Sequence, residues 1–387
     1  MTLNRKLSWV LCLLLLTGIG ACSSNKKKEL EPVKLQSFTK AVHLETLWSR
    51  KVGSGTGKFY NQFTPAIDGN FIYAASENGK VYKFDKLTGK KAWKANVKNK
   101  LTSGVAVDDE RVFVSTINGF MIALDKETGK QMWSHDVQTE IVSAAGVNSD
   151  HLIVQAVNGE VFDLNTEDGS QRWRYDSPMP ALTFRGNSKV VFFANYVVVG
   201  LANGKLAVLD VTTGQLMWEP KIADPKGDTE IERVVDVDAQ PVVADDKLLA
   251  VSIQGRLAAY DLHTGRLIWA EDESTYHDID ANYDKVLVTS ADGVITAYDQ
   301  QTGAVKWANE DFLRRKVSGP AIIGNYVVVA DYKGYVHVLS LDDGHVVGRK
   351  RASWFAIRSS ALVDQDRFYV MSSNGRLKAY KIGEIDN

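Results

Sequence analysis

Seven histidines and two cysteines are the side chains best suited to metal binding or nucleophilic chemistry in this 387-residue chain, so their spacing comes first. His43, His135, His151, His263, His277, His337 and His345 form no HxxxH or HxH pair, so no local helix or strand aims two of them at one ion. Cys12 and Cys22 form no CxxC or CxxCH, which excludes thiolate zinc sites and haem attachment. Aspartates recur at Asp85, Asp125, Asp210, Asp261 and Asp299, each just before a Thr-Gly pair. One such residue per repeat is turn chemistry rather than catalysis. There is no GxSxG, HExxH or Walker loop, and no convergent set of acid, base and electrophile. The expectation is a non-enzymatic protein without catalytic, metal or cofactor residues. The formal net charge of −1 offers no global field to recruit nucleic acid or anionic lipid.

The elements that carry these residues follow from a repeat. NGKVYKFDKLTGKKAW ends at Trp93, and NGFMIALDKETGKQMW ends at Trp133. Related stretches end at Trp173, Trp218, Trp269 and Trp307, and a further copy puts Gly348 in the Trp place. Its first glycines stand at 79, 119, 159, 204, 255, 293, 334 and 375, and every complete copy has 14 residues from Gly to Trp. Period-2 alternation, rich in β-branched and aromatic residues, gives four strands per copy and no helix. Asn-Gly suits a type I′ hairpin, and the Thr-Gly pair closes the next one. Four strands per roughly 40 residues make one propeller blade.

The last copy has three strands, around residues 358–363, 367–371 and 376–381, and lacks the Trp-bearing fourth. The segment LETLWSRKV at 44–52 supplies a Trp strand with nothing before it. The expected fold is therefore an all-β, eight-bladed propeller over 44–387, closed by the N-terminal strand joining the C-terminal blade. Trp48, Trp93, Trp133, Trp173, Trp218, Trp269 and Trp307 are expected as wedges between blades rather than as a ligand-stacking set. Gly348 predicts one looser outer contact.

Ahead of the blades, Arg5 and Lys6 precede an apolar run, Leu7 to Leu16, that is too short to span a bilayer. The following Ile19-Gly20-Ala21-Cys22 resembles the bacterial lipobox, in which the Cys is lipidated and becomes the mature N-terminus. That implies a signal peptide over 1–21 and a lipid at Cys22. Ser23 and Ser24, where inner-membrane lipoproteins favour Asp, point to the outer membrane. Residues 22–43 are polar and patternless and read as a tether. The body would then hold neither thiol nor disulfide.

If the repeats are scaffold, function belongs where the spacing breaks. From Trp to the next repeat Gly the gap is 24 to 27 residues after Trp93, Trp133, Trp269 and Trp307, but 31 after Trp48 and Trp173 and 37 after Trp218. In a four-stranded meander these extra residues emerge on the face of the Asn-Gly hairpins. MPALTFRGNSK (179–189) carries Leu182, Phe184 and Arg185, an apolar pair beside a fork-shaped cation. The second central insertion (223–241) carries Glu230, Glu232, Arg233, Asp236 and Asp238. Apolar anchors beside charge suit a protein interface. Leu182 and Phe184 tucked onto the rim, or Asp236 and Asp238 turned inward to cap loop N–H groups, are the competing readings.

The pattern A-x-D-x-x-T-G-x-x-x-W resembles the tryptophan-docking repeat of PQQ-like propellers over nearly the whole mature chain. Behind a lipobox, it resembles the BamB family of accessory lipoproteins of the outer-membrane β-barrel assembly machinery. The resemblance implies an outer-membrane scaffold facing the periplasm, which helps β-barrel proteins fold and insert. It also implies docking onto the periplasmic POTRA domains of BamA, and through BamA a link to the other Bam lipoproteins. The family motifs L-x-[LF]-R-G and D-V-D place that docking on Leu182, Phe184, Arg185, Asp236 and Asp238. Position 184 is Phe where relatives commonly carry Leu. Nascent barrel strands are a further possible partner. A PQQ dehydrogenase shares the repeat but is longer and carries calcium ligands, often with adjacent cysteines. A ligand in the central channel stays open as a third class.

Overall fold

Apolar alternation becomes four-stranded antiparallel sheets throughout the computed structural model, which describes residues 31–57, 63–184 and 188–385. The chain divides into a leading unit ending at Pro32 and a second unit, Val33–Asn387, that holds every described strand. Strands are numbered β1 to β32. Blade 1 is β2–β5 (66–96), blade 2 β6–β9 (106–136), blade 3 β10–β13 (146–176) and blade 4 β14–β17 (191–218). Blade 5 is β18–β21 (242–273), blade 6 β22–β25 (280–309) and blade 7 β26–β29 (321–351). Blade 8 joins β30–β32 (362–384) to β1 (Val42–Lys51) in the order β1-β32-β31-β30. The expected eight blades and composite closure are both present, with Val42 opposite Glu384 and Lys51 opposite Arg376.

Burial explains the strand sequences. The middle strands of each blade are sandwiched on both sides and are buried almost continuously, as in Phe71–Ser76 (FIYAAS) and in Lys80–Asp85, where even Lys83 is buried. Outer strands touch a neighbour on one face only. In Lys91–Asn96 just Trp93 is fully buried.

Each outer strand carries a β-bulge beside its Trp, or beside Gly348 in blade 7. Trp93 pairs with Lys83 while Lys91 pairs with Phe84, so one residue is skipped. A bulge bends the strand and re-aims a side chain, here towards the next blade. The Trp93 indole N–H donates to the Lys126 carbonyl at 2.9 Å, and Trp48, Trp133, Trp173, Trp269 and Trp307 repeat that bond with Lys86, Thr166, Val211, Gln300 and Leu341. The ring lies on the Thr-Gly turn of the neighbouring blade. At Gly129 (φ +71°) a Cβ would fall 2.8 Å from Trp93 Cε3, so glycine is needed for the approach as well as the dihedral. The preceding Asp fixes the same turn. Asp125 Oδ1 accepts the Thr128 amide at 2.7 Å and its hydroxyl at 2.5 Å, which holds the carboxyl below its usual range.

Trp218 departs from this pattern. The Cε2–Nε1 edge of its indole, rather than the Cε3 edge, lies towards Gly265, and the ring makes a T-shaped contact with Tyr260 at 5.5 Å. It sits on the short outer strand β17 (Leu216–Trp218), immediately before the longest insertion.

The looser contact expected at Gly348 does not occur. A Cβ there would lie 2.6 Å from Val42 Cγ2, so the missing side chain makes room for the start of β1. The part of the tether region belonging to the second unit, residues 33–41, runs down the flank of blade 7. The Val33 amide donates to Leu313 O, Arg315 donates to Val33 O, Arg349 donates to Gln36 O, and the Ala41 amide donates to Val347 O. Leu35 and Phe38 pack against the cluster around Trp307 and Phe312, with Arg349 4.8 Å from the Phe38 ring. Beneath them Arg315 is ion-paired to buried Asp331, which also faces His337.

Candidate partner interface

The loops leading from one blade to the next lie against the Asn-Gly hairpins. A Cβ on Gly79 would meet Asn99 O at 2.5 Å, one on Gly119 would meet Thr139 O at 2.6 Å, and one on Gly293 would meet Phe312 O at 2.4 Å. The irregular connections therefore share the hairpin face. The two central insertions bracket blade 4.

The second insertion has an exposed half and a sunken half. The Glu232 carboxylate accepts the amides of Asp228 and Thr229 at 3.0 Å each, which closes a turn and holds that carboxyl below its usual range. Gln254 donates to Ile231 O at 3.0 Å and ties the turn to the blade 5 hairpin. Beyond it, Val234, Val235, Val237 and Ala239 are buried. The Val237 amide donates to Leu201 O at 3.1 Å and the Ile253 amide to Asp236 O at 3.0 Å. This segment closes so tightly that a Cβ on Gly200 would fall 2.2 Å from Val237 O. The alternation V-V-D-V-D-A thus buries valines between two hairpins and sets both aspartates in the seam.

Asp236 is 1% exposed, and its Oδ2 accepts the Phe184 amide at 2.6 Å. This bond stitches the first insertion to the second. It matches the reading of Asp236 as an inward cap for a loop N–H, so its contact with any partner is indirect. Asp236 Oδ1 is buried with no hydrogen-bond partner among the described residues. Burial pushes the Asp236 carboxyl up to about 7. Asp238, partly exposed, is pushed up to about 8 by burial and by the charge of Asp236. Nearby Asp278 shows what a cation changes: burial alone would raise it, but Lys189 at 2.6 Å holds it below its usual range. The Asp236–Asp238 pair has no such cation among the described residues.

Above this seam stand Leu182, 42% exposed, and Phe184, 47% exposed, so neither folds back onto the rim. Met179, beside the blade 3 hairpin at Gly159, and Ile231, tied to the blade 5 hairpin, are exposed too, at 39% and 64%. Ile231 escaped sequence reasoning, although as the one large apolar residue in DTEIER it carried a legible signal. Arg185 and Cys22 lie outside the described residues. Among the described residues no three His, Cys, Asp or Glu side chains come together as a metal site.

Comparison with known proteins agrees with this architecture. Residues 77–309 and 291–385 match the family described as outer membrane protein assembly factor BamB. The outer membrane protein assembly factor BamB of Pseudomonas aeruginosa is 46% identical over 96% of this chain and 97% of its own. That of Alkalilimnicola ehrlichii is 42% identical over 98% of each chain.

The chain belongs to the BamB family.

The crystal structure of BamB from Moraxella catarrhalis superposes with a TM-score of 0.81 at 29% identity, covering 87% of this chain and 99% of that one. A quinohemoprotein alcohol dehydrogenase from Pseudomonas putida also superposes, with a TM-score of 0.69, but at 14% identity it shares the fold alone. The BamB family comprises assembly factors rather than enzymes, and its members place this chain with outer-membrane protein assembly and the outer membrane.

Proposed function

We propose that this BamB-family chain is a scaffold lipoprotein, anchored through a lipid on Cys22 and facing the periplasm, that docks on the POTRA domains of BamA. Through BamA it joins the other Bam lipoproteins and supports folding and insertion of β-barrel proteins. The single observation that carries this reading is the Phe184–Asp236 bond, which joins two insertions bearing exposed apolar side chains over an acidic seam with no cation among the described residues. Leu182, Phe184, Met179 and Ile231 supply area. Asp238 supplies a carboxylate whose charge is costly until a partner cation arrives. Asp236 positions the loop, and Arg185 follows Phe184 directly on that loop.

The test is a pull-down from detergent-solubilised membranes that compares wild type with L182A/F184A. Wild type recovers BamA, and the double variant recovers at least about tenfold less, as removal of two interface anchors requires. Equal recovery overturns the site, and absence of BamA from the wild-type sample overturns the function.

A further inference from the structure

Four blades round the ring from the proposed BamA surface, the same face carries a second exposed patch of different chemistry. The connection from blade 7 to blade 8 presents Trp354 at 78% exposure and Phe355 at 53%, and these apolar side chains cover no part of the core. They form one wall of a surface pocket of about 520 Å³ shared with Arg351, Arg376 and Lys378. The Arg351 guanidinium stacks 3.3 Å from the Trp354 ring centroid and lies 5.2 Å from that of Tyr335. Lys51, opposite Arg376 across the blade 8 closure, reaches the Asn374 carbonyl. None of these four cations has an ion-pair partner among the described residues. The positive charges crowd one another: burial first, then Arg376 and Lys350, lower the Lys378 ammonium below its usual range. The near-zero net charge therefore hides a separation, with a basic, aromatic sector three blades from the acidic 224–232 loop.

The course of the N-terminal segment adds an independent observation. Val33 is bonded to Leu313 and Arg315 in the blade 6–7 connection, on the hairpin face, whereas Ala41 reaches Val347 at the other end of the blade. The chain thus leaves the propeller on the hairpin face, beside blade 7. The blade 7 hairpin joins exit point and patch: its Asp331 holds Arg315, and its Gly334 sits under Ser353 O and Phe355 O. Cys22 precedes Val33 by residues 23–33, so even a fully extended link spans no more than about 36–40 Å.

We propose that the blade 7–8 sector docks on an anionic phospholipid bilayer, with Trp354 and Phe355 entering the headgroup boundary and Lys51, Arg351, Arg376 and Lys378 meeting lipid phosphates. An exposed Trp beside cations suits that boundary, where an indole is soluble at both ends of its polarity range. Beside a lipid anchor on a flexible link, a cationic patch holds one face of the propeller against the bilayer instead of leaving it free on its tether. The proposal rests on the scaffold reading only for the lipid at Cys22. Because blade 4 is remote from blade 8, both surfaces can be engaged together.

The experiment is vesicle co-sedimentation of a chain carrying Cys22→Ser and lacking residues 1–21, which retains every described residue and no lipid. Vesicles are phosphatidylcholine alone or with about a third phosphatidylglycerol. Wild type sediments with the anionic vesicles, only weakly with neutral ones, and is released by salt. Arg376→Glu, a change of two charges, weakens partition by about 25-fold, and W354S/F355S weakens it by about tenfold. Both variants keep the wild-type melting temperature and BamA recovery. Equal partition of wild type and variants overturns the proposal, as does equal binding to neutral and anionic vesicles. So does failure of wild type to bind anionic vesicles while W354S/F355S loses BamA, which would make the patch a polypeptide surface. The vesicle assay contains no BamA, so failure of the POTRA-docking reading leaves its result intact.

Discussion

Replacing Asp236 by Ala and by Asn separates its part in binding from its part in stability. Its Oδ2 holds the Phe184 amide at 2.6 Å, and Oδ1 is buried without a partner among the described residues. Asp236→Ala removes the stitch between the insertions. Hydrogen bonds to charged groups contribute about 1.5–3 kcal/mol. With the carboxyl pushed up to about 7, it is only partly ionised at neutral pH, so the lower part of that range applies. About 1.5–2 kcal/mol corresponds to a 10- to 30-fold rise in opening of the 182–184 loop. Hydrogen exchange at the Phe184 amide reads this directly, and affinity for soluble POTRA domains falls in proportion to the lost closed fraction, by at most that factor. Asp236→Asn keeps a neutral acceptor for Phe184 while removing the buried charge. It holds affinity within about threefold and raises the unfolding midpoint. If Asp236→Ala leaves Phe184 exchange unchanged, the stitch reasoning is wrong. If both variants lose stability in step with affinity, Asp236 is a general structural residue instead.

Two further outcomes follow from the same geometry. Asp236 and Asp238 have carboxyls pushed up to about 7 and about 8 by burial, so the folded chain holds more protons than the unfolded one between pH 4 and 8. Their contribution to stability is complete below the unfolded value and is lost as pH rises through 7 and 8. The melting temperature should therefore fall between pH 5 and 9, and D236N/D238N should flatten that slope; turn carboxyls such as Asp125, held low, act only in more acidic solution. Glycines at positive φ should separate into two costs in urea unfolding. Gly69→Ala, with open space at its Cβ, should cost about 1 kcal/mol, whereas Gly129→Ala, which also displaces Trp93, should cost about 3 kcal/mol. Similar values for both would mean that the Trp contact contributes nothing.

The repeat was legible because each blade solves the same local problem with the same residues. Asp caps the turn, Gly supplies φ and closeness, Trp fills the seam, and all three lie within one hairpin of each other. The composite blade was legible too, since a Trp strand without partners and three strands without a Trp have one economical pairing. At the proposed interface, the broken spacing marked the two insertions, and the family resemblance singled out Leu182, Phe184, Arg185, Asp236 and Asp238 within them. Their division of labour did not. Asp236 and Asp238 are equivalent in sequence, and only packing between the blade 4 and blade 5 hairpins buries the first under Phe184 and leaves the second partly open. Gly348 invited the wrong inference for a related reason. A missing Trp reads as a gap along the chain, but Val42 fills that place from about 300 residues away.

Sequence by itself determined what recurs: eight blades, their hairpins, their wedges, their closure and the face on which the exceptions gather. Tertiary structure decided what happens once. It turned the Trp218 ring over, laid Val33–Ala41 along blade 7 and gathered Lys51, Arg351, Trp354 and Arg376 from distant segments into one patch. Periodic features follow from short-range dihedral and turn preferences repeated in register. The unique ones depend on which side chains meet across the ring closure, and that pairing exists only after the chain has closed.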